Sequence, residues 1–167
     1  VDRRQRQMCI RDRINTDDKS AMPYNLEAEQ SFLGAILFDN TTIESTMDLI
    51  KDYHLYEPLH QEIYQACLIL FDNNKLADPT TLKGYLRDKN PNRKIDVSDY
   101  LNKLKGSVLS ISNISSYANE IKNCYLRRCL VRISDDIKEN SLNIKIDTSP
   151  EDLIERAEES LFNLAEK

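Results

Sequence analysis

Two glutamates, Glu27 and Glu29, are the residues of this sequence that come nearest to a catalytic carboxylate pair. They follow Asn25, whose side chain suits the N-cap of a helix, at positions where the helix dipole favours negative charge. Side chains two residues apart on a helix point to different faces, so the two carboxylates cannot share one substrate. The pattern therefore predicts capping and surface charge, and no residue is assigned to catalysis.

Histidine and cysteine, the side chains that most often bind transition metals, are too few and too scattered for a metal site. His54 and His60 are the two histidines, and Cys67 does not stand at a convincing spacing from either. We expect His60, beside Pro58, to form a structural hydrogen bond at a helix start. The four cysteines show no CxxC pairing, which predicts free buried thiols in a reducing compartment.

The three glycines, Gly34, Gly84 and Gly106, stand alone, and the phosphate-loop pattern G-x-x-x-x-G-K-[ST] does not occur in the sequence. Such a loop is what holds the phosphates of ATP in the large class of P-loop enzymes. We therefore expect neither nucleotide hydrolysis nor a bound cofactor in this chain.

Charge divides the sequence into two unequal parts. Residues 1–22 carry six basic and four acidic side chains, whereas residues 23–167 carry seventeen basic and twenty-four acidic ones. DNA phosphates are bound mainly through Lys and Arg, so the acidic body is a poor candidate for direct DNA contact. The basic leader, residues 1–21, has no aromatic interleaving and no helical periodicity, and we interpret it as a disordered or non-native extension.

The elements that must position these side chains are helices, since the 167 residues include only three glycines and five prolines. The segment from Leu59 to Phe71 is so dense in apolar residues that it predicts the central, most buried helix. Gly34 lies inside the apolar stripe of the first helix, which predicts close approach of a neighbouring helix. Three further helix starts are marked by a capping residue, in two cases followed by proline: Asp78-Pro79, Asp96 and Ser149-Pro150.

A long amphipathic helix is predicted in the second half. Apolar residues recur at gaps of three and four from Ile114 to Ile137, which is about 24 residues and roughly 35 Å. The helix that begins after Ser149 carries its own apolar stripe and should fold back as a hairpin. The predicted fold class is all-α: a compact multi-helix head over residues 22–108, followed by a long two-helix hairpin over residues 109–167.

The apolar band of the long helix is wider than one partner helix requires. Leaving about six large apolar residues in water would forfeit on the order of 10 kcal/mol, so we predict self-association through the hairpin. The residues assigned to the hairpin and its protein interface are Ile114, Ile121, Tyr125, Arg128, Arg132, Ile133, Ile137, Leu153 and Leu161. Arg127, Arg128 and Arg132 form a basic cluster on the long helix. Two interpretations of this cluster stay open: salt bridges to Asp135, Asp136 or the acidic last helix, and contact with a partner protein.

The order of motifs resembles the N-terminal domain of DnaB-type replicative DNA helicases over roughly residues 22–167. The opening block combines a proline, a Glu-Ala-Glu-Gln core and a Leu-Gly pair: Pro23, Glu27–Gln30 and Leu33-Gly34. Four later blocks follow in the order of the family: Leu55–Tyr64, Asp78–Leu82, Tyr100-Leu101 and Asn113–Ala118.

The resemblance implies a non-catalytic domain that holds a hexameric helicase together during DNA replication, as a dimer or as a trimer of dimers in a ring-shaped collar. It implies primase as a partner and a helicase loader as a further candidate. In that family the motor is a RecA-like domain that follows this region, so ATP and Mg²⁺ are expected only there, and this chain would be a fragment or truncated product. The alternative is a stand-alone helical adaptor or regulator that never had a motor.

Since no apolar run reaches the ~20 residues that span a bilayer, we expect a soluble, cytoplasmic protein without membrane contact.

Overall fold

The computed structural model describes residues 22–89, 96–108, 111–144 and 147–166. All regular secondary structure in these ranges is helical. The seven α-helices are α1 Leu26–Phe38, α2 Thr42–Thr46, α3 Pro58–Asp72, α4 Pro79–Lys89, α5 Val97–Gly106, α6 Ile114–Leu142 and α7 Pro150–Ala165, and a 3₁₀ turn spans Asp52–His54. The all-α prediction is therefore confirmed. The prediction for the leader, residues 1–21, lies outside the described residues.

The predicted helix starts are confirmed by their hydrogen bonds. The side chain of Asn25 accepts from the third amide after it at 3.0 Å, and Asp78 accepts from two amides of the first turn of α4 at 2.8 and 2.9 Å. Asp96 does the same for α5. Ser149 and Asp152 bind each other's backbone amides in a capping box at the start of α7. These caps depend on residues within one turn, which is why the sequence alone could indicate them.

The central helix of the head is α1, and the prediction that Leu59–Phe71 would be the most buried helix is wrong. The helix α1 packs against α5 and α6 and also contacts α3 and α2, so eight of its thirteen residues are buried. In contrast, Ile69 near the end of α3 is 37% exposed. The difference arises because α1 has neighbours on several sides, whereas the last turns of α3 keep one side in solvent.

Gly34 marks the close helix approach that its place in the apolar stripe predicted. A Cβ atom at this position would lie 2.5 Å from the carbonyl oxygen of Leu104 and 2.8 Å from Cγ2 of Val108. Because the backbone of α5 occupies that space, α1 and α5 can pack at this distance only without a side chain there. The prediction is confirmed.

The helix α6 belongs to the head at one end and to the hairpin at the other. It has 29 residues and is about 43 Å long, five residues longer than the periodicity indicated. Ile114 and Ile121, with Ala118 between them, are buried in the core of the head. Their assignment to the protein interface was wrong, because one chain already buries them. The division into a head over residues 22–108 and a hairpin over 109–167 stays a prediction.

Candidate functional site

Glu29 is a buried carboxylate that binds the start of another helix. It is 2% exposed, and it accepts hydrogen bonds from the backbone amides of Tyr56 at 2.5 Å and Glu57 at 3.3 Å. Glu57 is the N-cap residue of α3, and its own side chain makes no capping bond. Glu29 therefore holds the segment that enters α3 against α1, and the prediction of a surface charge was wrong for this residue. The reason is helical spacing, which places Glu29 on the same face as buried Phe32 and Leu33.

The same carboxylate begins a chain of buried polar groups. Oε2 of Glu29 lies 2.6 Å from Nδ1 of His60, and Nε2 of His60 lies 2.7 Å from the hydroxyl oxygen of Tyr100. The amide of Gln30 donates to that hydroxyl oxygen at 3.3 Å. A neutral imidazole that donates a hydrogen bond from Nδ1 to Glu29 and accepts one at Nε2 from the Tyr100 hydroxyl group satisfies all three side chains.

The carboxylate–imidazole–hydroxyl order also occurs in acyl-transfer triads, in which the hydroxyl is the nucleophile. Here the hydroxyl belongs to Tyr100, and burial raises the pKa of that phenol. The three groups come from α1, α3 and α5, so their hydrogen bonds fix these helices to one another. The prediction that His60 forms a structural hydrogen bond at a helix start is confirmed.

Arg128 ties α6 to two distant parts of the head. The side chain is 4% exposed and donates to the carbonyl oxygen of Pro23 at 2.8 Å and to that of His54 at 2.7 Å. Its guanidinium carbon lies 5.4 Å from the ring centre of Tyr56 and 5.8 Å from that of Tyr125. The salt-bridge interpretation of Arg128 was wrong, because backbone carbonyls and ring faces bind it rather than carboxylates. Its assignment to a protein interface stays a prediction.

A signal for this position was present in the sequence. Ile114, Ala118, Ile121, Tyr125 and Arg128 follow one another at gaps of four and three, which places all five on one face of α6. An arginine that continues an apolar face predicts a buried guanidinium, although the sequence does not show which carbonyl groups it binds.

Four tyrosines lie where the head meets the long helix, and we call Tyr24, Tyr53, Tyr56 and Tyr125 the junction patch; Tyr56 and Tyr125 contact Arg128, and the other two pack against these rings. Tyr24 and Tyr56 are stacked with their ring centres 4.7 Å apart, and Tyr53 lies tilted against Tyr125 at 5.6 Å. Even so, Tyr24, Tyr53 and Tyr56 remain 48%, 52% and 39% exposed. Sequence reasoning missed this patch because its members come from three separate segments.

His54 lies under the junction patch with its ring 4.5 Å from that of Tyr125. Burial lowers the pKa of His54 to about 4, and the positive charges of Lys122, Lys51 and Arg128 act in the same direction. Asp52 is the one neighbour that opposes them. His54 is therefore a neutral residue in positive surroundings. Its Nδ1 accepts a hydrogen bond from the backbone amide of Lys51 at 3.1 Å.

The hairpin carries an exposed apolar surface on both of its helices. Helical spacing places Leu130 and Ile137 opposite Arg128 on α6, and α7 exposes three further large apolar residues. We call this surface the hairpin stripe; its residues are Leu130, Ile137, Ile154, Leu161 and Phe162, each between 41% and 62% exposed. No residue of α7 is fully buried.

The remaining predicted interface residues all lie on the hairpin. Ile133, Ile137 and Leu153 line a groove between α6 and α7, and Ile137 and Leu161 are also members of the hairpin stripe. Arg132 is exposed, and it forms no ion pair with a carboxylate in the described ranges. The salt bridges that the sequence suggested for Arg132 are therefore not found there.

Within residues 22–89, 96–108, 111–144 and 147–166, no three His, Cys, Asp or Glu side chains come together as a metal site requires. None of the helices described is both long and apolar enough to cross a membrane.

Comparison with known families decides what this architecture is. Residues 21–123, more than half of the chain, match the family described as "DnaB-like helicase N terminal domain". The chain belongs to this family. Its DnaB-type fold is also that of a solved relative, the N-terminal domain of DnaB helicase from Mycobacterium tuberculosis, with a TM-score of 0.78 and 26% identity over 86% of this chain and 99% of the relative.

Curated relatives of this DnaB-family chain are longer than the chain. It is 29% identical over 95% of its length to "Replicative DNA helicase DnaB" of Rickettsia prowazekii and 32% identical over 87% of its length to that of Pasteurella multocida. These alignments cover 33% and 31% of the two relatives. The chain thus spans about a third of the length of the helicases it matches.

A second solved structure, a DnaB-like replicative helicase described with its interactions with primase, shares the fold of this DnaB-family chain. The TM-score is 0.66 and the identity 24%, over 84% of this chain and 31% of the other. The identity is low enough that the likeness concerns the fold alone.

Proposed function

We propose that this chain is the non-catalytic N-terminal part of a cytoplasmic hexameric replicative DNA helicase, which joins subunits through its hairpin and presents its head to other replication proteins. The observation that carries the proposal is the hairpin stripe. Its five large side chains are each about half exposed, and full burial of such side chains contributes about 1.5–3 kcal/mol apiece. Several kcal/mol are therefore available to association.

A second copy of the same hairpin is the natural cover for this surface. Its α6 members, Leu130 and Ile137, lie on the side of the helix opposite to Arg128, which binds the head, so the chain's own head does not cover them. A symmetric dimer needs a patch that is complementary to itself, and an apolar stripe along two antiparallel helices meets that need. Three such dimers would give the hexamer of the family, with ATP and Mg²⁺ bound by a motor outside these residues.

Sedimentation equilibrium at tens of micromolar tests the self-association. The wild type should sediment as a dimer or a larger even-numbered oligomer, and Leu161→Ser with Phe162→Ser should shift it to a monomer. Leu76→Ser is the matched control, because Leu76 is 62% exposed but lies in the head. A monomeric wild type would refute the proposal, as would an equal loss of association in the control.

Primase is the first outside partner to test, since the fold is shared with a helicase described with its primase. Calorimetric titration with the primase of the same organism should give saturable binding to the wild type. A helicase loader is the second partner to test in the same way. If neither protein binds, the partner-docking half of the proposal fails while the self-association half stands.

A further inference from the structure

We infer that the Tyr53–Tyr125 end of the junction patch is a docking surface for an acidic segment of a partner protein. The inference rests on the partner-docking half of the proposed function and gives that docking a place and a chemistry. It concerns a surface different from the hairpin stripe, since Tyr125 and Arg128 lie on the head side of α6.

The composition of the patch is that of a binding surface. Tyrosine and arginine are the residues most enriched among those that dominate protein–protein binding energy. Three tyrosines of the patch are between 39% and 52% exposed, even though each ring is in contact with another ring or with Arg128. Exposed aromatic side chains held by their neighbours provide contact area without the cost of ordering them on binding.

The backbone under the patch is fixed as well. Arg128 binds the carbonyl group of Pro23, next to Tyr24, and that of His54, next to Tyr53. Glu29 binds the amide of Tyr56. Two buried charged side chains thus hold the backbone beside all three exposed tyrosines, so the patch is formed before any partner arrives.

Charge indicates the kind of partner. Lys51, Lys122 and Arg128 lie close enough to His54 to disfavour its protonation, and Asp52 acts in the opposite direction. The guanidinium of Arg128 is bound by carbonyl oxygens, and no carboxylate in the described part of the chain pairs with it. The Tyr53–Tyr125 end is therefore positive, although the whole chain carries a formal charge of −5.

The other end of the patch is different. Beside Tyr24 and Tyr56 lie Glu57 and Glu120, and Glu120 accepts a hydrogen bond from Asn25. The acidic groups of a partner are therefore expected against Tyr53, with apolar contacts extending towards Tyr56. Tyrosine hydroxyl groups and lysine ammonium groups both donate to carboxylates, which gives an acidic peptide several bonds at this end.

A single-stranded nucleic acid fits the same surface less well. Base stacking requires an open aromatic face, and here Tyr24 and Tyr56 are stacked on each other while Tyr53 is covered on one side by His54 and Tyr125. Residues 23–167 also carry seventeen basic against twenty-four acidic side chains, which repels a long polyanion. A short acidic segment avoids that repulsion.

Fluorescence anisotropy on the full chain tests the inference. The probes are a fluorescein-labelled twelve-residue peptide in which Asp and Glu alternate with Leu, the same peptide with Lys in place of the acids, and a labelled oligo-dT of equal length. We expect the acidic peptide to bind most tightly, and Tyr53→Ser and the pair Lys51→Glu with Lys122→Glu each to weaken it by about tenfold or more. Lys83→Glu, an exposed charge on α4, is the matched control and should leave binding unchanged.

Each other outcome overturns the inference. It fails if the acidic peptide binds no more tightly than the basic one, or if the control variant weakens binding as much as the patch variants. Tighter binding of oligo-dT that depends on Tyr53 would make the patch a nucleic-acid surface. Loss of dimer in the patch variants by sedimentation would make it a subunit contact. Circular dichroism of each variant shows whether a loss of binding comes from misfolding. Sedimentation of the wild type tests the self-association separately, so a failure of this inference is distinguishable from a failure of the proposed function.

Discussion

The carbonyl oxygen of Pro23 accepts a hydrogen bond of 2.8 Å from Arg128, which lies 105 residues later in the chain. Through this bond the middle of the longest helix holds the segment that precedes α1. The same guanidinium holds the 3₁₀ turn through His54. The stability of the head should therefore depend on a side chain of α6.

Arg128→Met should lower the free energy of unfolding by about 2–4 kcal/mol, because two buried carbonyl groups lose a charged donor while the apolar length of the side chain is kept. Arg128→Lys should recover part of that loss, since an ammonium group can reach one of the two carbonyl groups. Urea titration followed by circular dichroism measures both. Arg127→Met changes the exposed neighbour and should have almost no effect; an equal loss there would refute the account given for Arg128.

Gly34→Ala should destabilise the protein by about 2 kcal/mol or more, because the new methyl group would lie 2.5 Å from a backbone oxygen of Leu104, and backbone moves less readily than a side chain. Gly84→Ala should instead stabilise the protein by about 0.5–1 kcal/mol, since nothing lies within 4 Å of a Cβ atom there and alanine favours the helix. Thermal unfolding of the two variants gives the sign of each change. Two shifts of the same sign would contradict the packing described at Gly34.

Glu29→Gln should reduce the free energy of unfolding by about 1–3 kcal/mol, because a neutral amide accepts more weakly from the backbone amides of Tyr56 and Glu57 and can present only one oxygen to them and to His60. Glu27→Gln is the control on the same helix, two residues away and exposed, and it should change little. Chemical denaturation compares the two. Near-equal values would mean that Glu29 is the surface charge that the sequence indicated.

His54 should make the protein less stable below neutral pH. Its pKa is lowered from 6.5 to about 4 on folding, so the unfolded chain binds more protons than the folded chain between these values. The contribution of His54 is fully present above about pH 6.5 and is lost as the pH falls towards 4. The loss should be on the order of 3 kcal/mol.

The measurement is the difference in unfolding free energy between wild type and His54→Asn across that pH range. Asparagine can accept the hydrogen bond from Lys51 but does not titrate, so the difference between the two proteins should shrink as the pH falls. A difference that stays constant with pH would show that His54 does not titrate as its surroundings indicate.

Features that depend on one helix could be predicted from the sequence, and features that depend on two distant segments could not. The caps at Asn25, Asp78 and Ser149 were found because donor and acceptor lie within one turn. The close approach at Gly34 was found because a glycine in an apolar stripe costs helix stability unless something packs against it. Neither inference required knowledge of which element is the neighbour.

Glu29 and Arg128 show the limit of the same reasoning. Glu29 was interpreted as a surface charge, and Arg128 as a residue of a salt bridge or a partner contact, because acidic and basic residues are seldom buried without a partner. Their partners are backbone groups 27 and 105 residues away, and backbone groups have no signature in a sequence. Helical spacing could have shown that both residues share a face with apolar neighbours. It could not have shown which amides and carbonyls they bind, nor that four tyrosines meet where the head joins the long helix.

The continuity of α6 has a mechanical consequence. About 14 residues, or roughly 21 Å of rigid helix, extend beyond Arg128, the last residue of α6 that binds the head. A tilt of five degrees at that point would move the far end by about 2 Å, as the geometry of a rod of this length requires. The helix is therefore a lever: a small displacement in the head becomes a large one at the end of the hairpin, and a hairpin fixed by a partner exerts torque on the head.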